Sequence, residues 1–427
     1  MSGIASRRRA RLDRWRLKDA AVEAERRWGH GHGARGEWVD DEGDCHTQAS
    51  LRCRCGSSRI AEDVGLSLSD SGAAWFTGVA RCGSVWECPV CAPQKAKERA
   101  DELSRVLKAW RGQGHAVYLV TLTVRHQWGD DLRELVRGVP KGWTYLRQGR
   151  RSAELERWGV RHFVKATEVT YGGNGAHPHL HVLLFTDGEL GEPELAQLKD
   201  WLWTHWRRWV VDKQKWSEPL RDKAVDVEDC NDNVGAYLTK LGLVDEVVRA
   251  DTKSARGANR GPWEILRDYA EHKRDEDGRL WSQHCQALRG MRQITWSKPR
   301  KASGEKSLRE LFPPEEDPQG ELAVGNETSV GGMNPEVWDE LFASDPAART
   351  RLLWCVENGW WSSVRSLAPG IVVHPPRPVV GAHDPTRIRR YGVQGELDQA
   401  ELEQLGLSDW WDTTTGIDKR YPAPLIP

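Results

Sequence analysis

The sequence lacks the features of a membrane-spanning or exported protein. No apolar run within its 427 residues approaches the roughly 18 to 20 residues that span a bilayer. The basic start, MSGIASRRRARLDRWR, is not followed by the apolar stretch of a secretory signal. We therefore expect a cytoplasmic protein with no membrane partner. Its nine cysteines would lie in a reducing compartment, where clustered cysteines bind metal more often than they form disulfides.

The sequence also lacks an excess of charge of either sign. A formal net charge of −1 provides no global positive field, so any affinity for DNA depends on local patches. One such patch lies on a predicted N-terminal helix and comprises Arg7, Arg8, Arg9, Arg11, Arg14 and Arg16. These arginines fit contact with DNA phosphates and, equally well, a solvated surface helix.

Internal repeats and a Walker-type G-x-x-x-x-G-K-[ST] motif are also absent, so a fused helicase is not expected. The chain is longer than a single core, which rarely exceeds about 250 to 300 residues. We predict four parts. The first two are a basic helical segment with its linker (1–36) and a cysteine-rich module with the following helix (37–112). The last two are an α+β domain (113–300) and a linker with a mostly helical C-terminal accessory unit (301–427).

The α+β domain is predicted from β-branched segments that alternate with helical patterns. The predicted strands cover residues 115–126, 161–171, 177–185 and 224–230. A long helical pattern begins at Glu192, between the last two of them. This arrangement predicts a central, mostly antiparallel sheet flanked by helices.

Six of the nine cysteines lie between positions 45 and 91. Cys82, Cys88 and Cys91 supply three thiolates at a spacing typical of a tetrahedral structural zinc site. The candidates for the fourth ligand are Cys53, Cys55 and, as a further possibility, Cys45. The alternative is a set of reduced, packed cysteines. The isolated cysteines are expected at ordinary apolar positions: Cys230, Cys285 and Cys355.

The strand HPHLHVLLF places two imidazoles where they can bind one cation. His179 and His181 are two residues apart, so they project from the same face of the strand. The apolar residues that follow predict a central, buried strand, where unpartnered polar rings would be costly. His177 points to the same face if the strand begins before Pro178, as an auxiliary ligand or a DNA contact.

The preceding strand supplies a carboxylate for the same place. A turn centred between Gly173 and Asn174 pairs Glu168 directly with His179. A carboxylate and two imidazoles suit Mg²⁺ or Mn²⁺ in a phosphate-handling site, with Zn²⁺ as an alternative. Hydrogen-bonded core histidines are the other interpretation of this strand.

A third pattern, VGAYLTKLG, places Tyr237 and Lys240 one helical turn apart. A phenol and an ammonium on one face can address one phosphate, the phenol as nucleophile and the ammonium as stabiliser of charge. Taken alone, such a pair usually means an aromatic residue in packing beside a solvated lysine.

Taken in order, TLT, HPHLHVLLF and YLTK resemble the three motifs of rolling-circle replication initiators of the HUH endonuclease superfamily. The resemblance covers about residues 45 to 300, and CGSVWECPVC and ALRGMRQITWSK resemble initiators from plasmids and integrative elements of high-GC Gram-positive bacteria. It implies an HUH domain at 113–300 and a zinc-ribbon-like module before it. The residues implied as metal ligands are Glu168, His179 and His181. Tyr237 would be the nucleophile and Lys240 its companion. Thr121 and Thr123 belong to the first motif and would contact DNA or have a largely structural role.

The function implied is nicking and rejoining of single-stranded DNA at a replication origin through a 5′-phosphotyrosyl intermediate, which leaves a 3′-hydroxyl primer. A host helicase and DNA polymerase would be partners. Because there is one candidate tyrosine, termination of replication would need another nucleophile or the second subunit of a dimer. The alternatives are an HUH transposase or relaxase, a nuclease that uses activated water, and a non-catalytic zinc-ribbon DNA-binding regulator.

Overall fold

The computed structural model describes part of the chain. It describes the backbone of residues 3–29, 34–39, 45–49, 55–69, 72–230, 259–298, 306–313, 327–344, 348–374, 411–412 and 417–418. Side chains are described for residues 13–29, 55–68, 72–230, 259–298, 306–313, 328–341 and 348–374.

Helices occur along the whole described chain. They are α1 (Gly3–Trp28), α2 (Ala92–Gly112), α3 (Leu132–Leu146), α4 (Arg150–Arg157), α5 (Glu192–Arg208) with a π-helical turn (Trp209–Lys213), α6 (Arg221–Ala224), α7 (Pro262–His272), α8 (Asp275–Leu288), α9 (Leu308–Leu311), α10 (Pro335–Ser344), α11 (Ala348–Glu357) and α12 (Trp361–Leu367).

The strands are β1 (Ala34–Val39), β2 (Cys45–Ala49), β3 (Val64–Ser69), β4 (Ala74–Thr77), β5 (Ala116–Thr123), β6 (Val160–Gly172), β7 (Gly175–Thr186), β8 (Val225–Asp229), β9 (Ile294–Trp296), β10 (Glu327–Met333), β11 (Val372–Val373), β12 (Trp411–Asp412) and β13 (Ile417–Asp418). The strands predicted at 115–126, 161–171, 177–185 and 224–230 are confirmed as β5 to β8 with small shifts at their ends. The α+β class is confirmed as well.

The chain divides into two compact units. The larger unit contains Asp13–Cys55 and Arg81–Gly320, and the smaller unit contains Met1–Leu12, Gly56–Ala80 and Glu321–Pro427. No helix in the described ranges is both long enough and apolar enough to cross a membrane.

A five-stranded sheet in the order β8-β5-β7-β6-β9 organises the larger unit, and all its neighbouring strands are antiparallel. Because β7 lies at the centre, its side chains are covered on both faces, as its unbroken apolar run predicts. On one face, helix α2 packs Leu103, Val106, Leu107 and Trp110 against the sheet. Their spacing is that of one helical face. On the other face, α3 and α5 bury Trp143 and Trp206.

The smaller unit is built on a four-stranded sheet in the order β11-β10-β3-β4. Its core lies between this sheet and helices α10 to α12, where Phe76 and Trp338 meet edge to face with ring centroids 5.0 Å apart. The Trp338 indole also donates to the backbone oxygen of Ser57, at 2.9 Å.

The smaller unit joins segments that the sequence assigned to different parts. Strands β3 and β4 fall within the predicted cysteine-rich module, whereas β10 and β11 fall within the predicted C-terminal unit, yet β3 pairs with β10. The physical reason is burial. Leu66 and Phe76 are almost fully buried, and the helices and strands beyond residue 327 cover them. The predicted domain limits did not anticipate this pairing.

Candidate functional site

Strand pairing brings the predicted carboxylate to the histidine strand. Glu168 lies directly opposite His179, and Gly172 lies opposite Gly175, so the hairpin register predicted from the turn is confirmed. The Glu168 carboxylate reaches diagonally to His181, with Oε2 2.8 Å from Nε2. On the other side, Thr121 lies opposite His181, and its hydroxyl is 3.1 Å from Nδ1. Both nitrogens of this buried imidazole therefore have a polar partner.

His179 and His177 extend this row of rings along β7. The ring of His179 is parallel to that of His181, with an interplanar angle of 4° and centroids 5.9 Å apart, so both point the same way. The ring of His177 lies 3.9 Å from that of His179. Burial, together with the neighbouring histidines, lowers the pKa of His177 and of His179 to about 3. Both rings are therefore neutral near pH 7, which is the form that binds a cation.

The donor set fits a divalent cation. One carboxylate and two imidazoles on a single face are chemically suited to Mg²⁺, Mn²⁺ or Zn²⁺. The atoms Glu168 Oε2 and His181 Nε2 lie at hydrogen-bonding distance from each other, and both could bind a cation instead. The Thr121 hydroxyl could then accept from Nδ1–H and fix the tautomer, as outer partners of metal-bound histidines do. The ligand atoms of Glu168, His179 and His181 do not all lie within 4.8 Å of one another.

The other residue of the first motif has a different environment. Thr123 lies opposite His179 on β5, but it is buried, and its hydroxyl donates to the backbone oxygen of Lys223 at 3.0 Å. This environment favours the structural role considered for that motif over direct contact with DNA.

Several predicted site residues are not described by the structure. Tyr237, Lys240 and Cys53 lie outside the described residues. Arg7, Arg8 and Arg9 lie on helix α1, as predicted, but their side chains are outside the described set.

The sequence missed one residue of the site. His126 follows β5, and its ring stacks on that of His177 with centroids 4.4 Å apart and an interplanar angle of 23°. The signal was present in TLTVRH, where a histidine stands at the end of the strand predicted at 115–126. Because only one histidine occurs there, the pattern by itself does not indicate a ligand.

The four cysteines Cys55, Cys82, Cys88 and Cys91 form a second candidate metal centre. Their sulfur atoms all lie within 4.8 Å of one another, and in the described part of the chain no other group of three or more metal-binding side chains is this compact. Neighbouring sulfurs are 3.4 Å apart for Cys55 and Cys91, 3.6 Å for Cys88 and Cys55, and 3.9 Å for Cys82 and Cys91. A tetrahedral zinc site with Zn–S bonds of about 2.3 Å has sulfurs about 3.8 Å apart.

The environment of the thiols also fits a metal. Hydrogen bonds from Cys82 and Cys88 lower the pKa of Cys55 to about 7, and those from Cys55 and its neighbours lower the pKa of Cys91. The pKa values of Cys82 and Cys88 are raised, chiefly because they interact with Cys55. Two of the four thiols are therefore readily ionised, and a cation would ionise the others. Of the two main candidates for the fourth ligand, Cys55 is in the cluster. The isolated Cys230, Cys285 and Cys355 are buried, as predicted.

Comparisons with known proteins place the chain in a family. A family model described as "Replication protein" matches residues 77–328, which is more than half of the chain. A curated relative, "Protein rep" of Streptomyces lividans, is 29% identical over 304 residues, covering 56% of this chain and 66% of the relative. A second, "Neomycin resistance protein" of Streptomyces cyanogenus, is 32% identical over 156 residues, covering 30% of this chain and 36% of the relative.

The matched regions thus span less than two thirds of either relative. No solved structure matches the chain. The family match runs from the end of β4 to the start of β10 and includes the whole five-stranded sheet and three of the four clustered cysteines, Cys82, Cys88 and Cys91. The chain therefore belongs to the replication protein family.

Proposed function

We propose that the protein initiates rolling-circle replication of a plasmid by nicking single-stranded origin DNA and rejoining it through a covalent bond to a tyrosine. The observation that carries this proposal is the convergence of Glu168, His179 and His181 on one face of an antiparallel sheet, in a chain of the replication protein family. An HUH endonuclease site combines such a histidine strand with a nucleophilic tyrosine.

The histidine strand and Glu168 would hold Mg²⁺ or Mn²⁺. When bound, the cation would offset charge on the oxygens of the scissile phosphate. The chain itself contributes orientation. Thr121 holds the Nδ1 edge of His181, and the β6–β7 ladder fixes Glu168 relative to His179. Rigid strands thus set the ligand positions before DNA arrives.

Tyr237 is the proposed nucleophile, because the motif that carries it follows the histidine strand in the order typical of replication initiators. Strand β8 lies between the two motifs in the chain, and at its end the backbone N–H of Cys230 donates to the oxygen of Val117, at 2.8 Å. Cys230 belongs to the core on the histidine face of the sheet.

The chemical step balances without another reactant. The phenol oxygen of Tyr237 forms a bond to phosphorus, and the bond from phosphorus to the 3′-oxygen of the preceding nucleotide breaks. The phenol proton passes to solvent and the leaving oxygen takes up a proton, which yields a 5′-phosphotyrosine and a 3′-hydroxyl primer. Lys240 would stabilise the phenolate or the charged intermediate. Since the phosphotyrosine conserves the phosphodiester energy, rejoining needs no ATP.

The cysteine cluster would hold a structural Zn²⁺. We further propose that the arginines of α1 contact DNA phosphates, that a host helicase and DNA polymerase extend the nicked origin, and that a second subunit supplies a nucleophile for termination.

The test is a cleavage assay on end-labelled single-stranded fragments of the origin of the replicon that encodes the chain, with Mg²⁺ or Mn²⁺. We expect a labelled band of protein linked to DNA on a denaturing gel. The Tyr237→Phe variant should form no adduct and no nick but should bind the same fragments nearly as well as the parent protein.

The outcomes separate the alternatives. Cleavage without an adduct would indicate a nuclease that uses activated water, and binding without cleavage would indicate a DNA-binding regulator. Cleavage by Tyr237→Phe would show that another residue is the nucleophile.

A further inference from the structure

Trp128 is an unusual exposed residue beside the candidate site. The sequence contains 23 tryptophans, and in the part of the chain with described side chains Trp128 is the one with a largely exposed ring, at 66%. An indole exposed to this degree contributes little to the core and is free to contact a ligand. Its position after β5 places it two residues from His126.

The ring of Trp128 is held in place although it is exposed. The indole Nε1 donates to the backbone oxygen of Gly173 in the β6–β7 turn, at 2.7 Å. The loop backbone also packs on the hairpin, since a Cβ added at Gly175 would lie 3.5 Å from the Trp128 Cα and from the Gln127 oxygen. The indole therefore presents its face to solvent from a position anchored to the strand that carries the histidines.

A series of rings leads from this loop to the candidate cation ligands. His126 stacks on His177, His177 lies against His179, and His179 is parallel to His181. Trp128 thus belongs to the same end of the sheet as the atoms that would face a scissile phosphate. Arg125, one residue before His126, is exposed and places a positive charge on the same loop.

We propose that Trp128 stacks on one nucleobase of the single-stranded DNA, close to the scissile phosphate, and so positions that phosphate over the histidine strand. This inference rests on the proposed function. A flat aromatic face beside a cationic group is the arrangement that binds single-stranded nucleic acid, because every base has a face and every linkage has a charge. Paired bases in a duplex do not present their faces.

The loop does not fit a protein partner as well. A protein docking surface needs a contiguous apolar patch. The residues around Trp128 are instead polar or small and exposed: Arg125, Gln127, Gly129 and Asp130. One aromatic ring among polar neighbours matches the size of one base.

The experiment combines substitution of Trp128 with removal of single bases from the DNA. Binding of the full-length protein to a single-stranded origin fragment is measured without added Mg²⁺ or Mn²⁺ and without a chelator, so that nicking is not expected and the structural zinc is retained. A set of fragments that each carry one abasic site is used. For the parent protein we expect one or two positions at which loss of the base weakens binding by about 5- to 100-fold. Trp128→Ala should weaken binding to the intact fragment by a similar factor and should show no further loss at those positions.

Two variants separate stacking from folding. Trp128→Phe keeps a ring but loses the donor to Gly173, so we expect it to retain the dependence on that base in weakened form. Trp203→Ala removes a half-buried tryptophan of α5 that lies near Arg221, and any loss of affinity should be the same at every abasic position. Three outcomes would overturn the proposal. Trp128→Ala could leave the affinity unchanged, or its loss of affinity could add to the loss at every abasic position. The parent protein could also fail to bind single strands. Because binding is measured without cleavage, its outcome is independent of the test of Tyr237.

Discussion

The two candidate metal centres bring their ligands together in different ways. In the cysteine cluster, three ligands lie within one short segment, and the four sulfur atoms have one another as main partners, at 3.4 to 3.9 Å. At the histidine strand, the ligands come from two strands and are fixed by the ladder. There Glu168 and Thr121 already satisfy both nitrogens of His181.

This difference indicates different dependence on metal. The four crowded thiols, three of them buried, have little to gain from one another, so a cation is what stabilises their arrangement. Both nitrogens of His181 are paired without a cation, and strand pairing keeps Glu168 and the histidines in place. We therefore expect zinc to be part of the fold and the second cation to be exchangeable.

The largest effect should come from breaking the cysteine cluster. Cys88→Ser removes a fully buried ligand, and the protein should lose its zinc together with several kcal/mol of unfolding free energy, since structural zinc contributes apparent binding free energies of about 10 to 16 kcal/mol in small domains. Zinc per chain by elemental analysis and the thermal unfolding midpoint measure this.

Cys355→Ala is the matched control, because Cys355 is also buried but lies outside the cluster. It should keep the zinc and lose about 1 to 2 kcal/mol. If Cys88→Ser retained one zinc per chain, the cluster would not be the zinc site.

The second effect concerns the carboxylate of the histidine site. Glu168→Gln keeps a hydrogen-bonding group beside His181 but removes the negative charge, so nicking should fall by about 100-fold or more while the unfolding free energy changes by about 1 kcal/mol or less. Rates are measured across a range of Mn²⁺ concentrations. A nicking rate unchanged at every Mn²⁺ concentration would show that Glu168 is not a ligand. A large loss of unfolding free energy would show that the histidine site, like the cysteine cluster, is needed for the fold.

A smaller effect is expected from the outer partner of His181. Thr121→Val removes the hydroxyl that is 3.1 Å from Nδ1 but keeps the shape, and Mn²⁺ affinity should fall by about 10- to 100-fold. Thr121→Ser should restore most of it. Calorimetric titration with Mn²⁺ measures the affinity. If valine and serine behaved alike, the hydroxyl would have no orienting role.

The smallest effect concerns a histidine that serves only the core. His284 is buried and accepts from the Tyr171 hydroxyl at 2.7 Å, and burial lowers its pKa to about 3. The unfolded chain, with an ordinary pKa of about 6.5, binds the extra proton first, so the unfolding free energy should decline as the pH falls from about 6.5 towards 3. Urea unfolding of His284→Gln should show a shallower decline. Equal slopes would show that the fold does not lower the pKa of His284.

Much of the histidine site could be predicted from the sequence because it depends on local rules. A side-chain period of two places His179 and His181 together, and a two-residue turn fixes Glu168 opposite His179. The close spacing of Cys82, Cys88 and Cys91 likewise indicated their cluster. The choice between Cys53 and Cys55 could not be made, since both lie in the same short segment and only the folded chain brings one of them to the others.

The sequence alone determined which residues share a face of β7 and which residue lies across the turn, because strand geometry and turn length act over a few residues. Only the tertiary structure decided that β3 pairs with β10, that His126 stacks on His177, and that Trp128 is anchored to the hairpin. These contacts join segments far apart in the chain, and they form where burial and pairing are most favourable. A short sequence pattern cannot predict which distant segments give the most favourable burial and pairing.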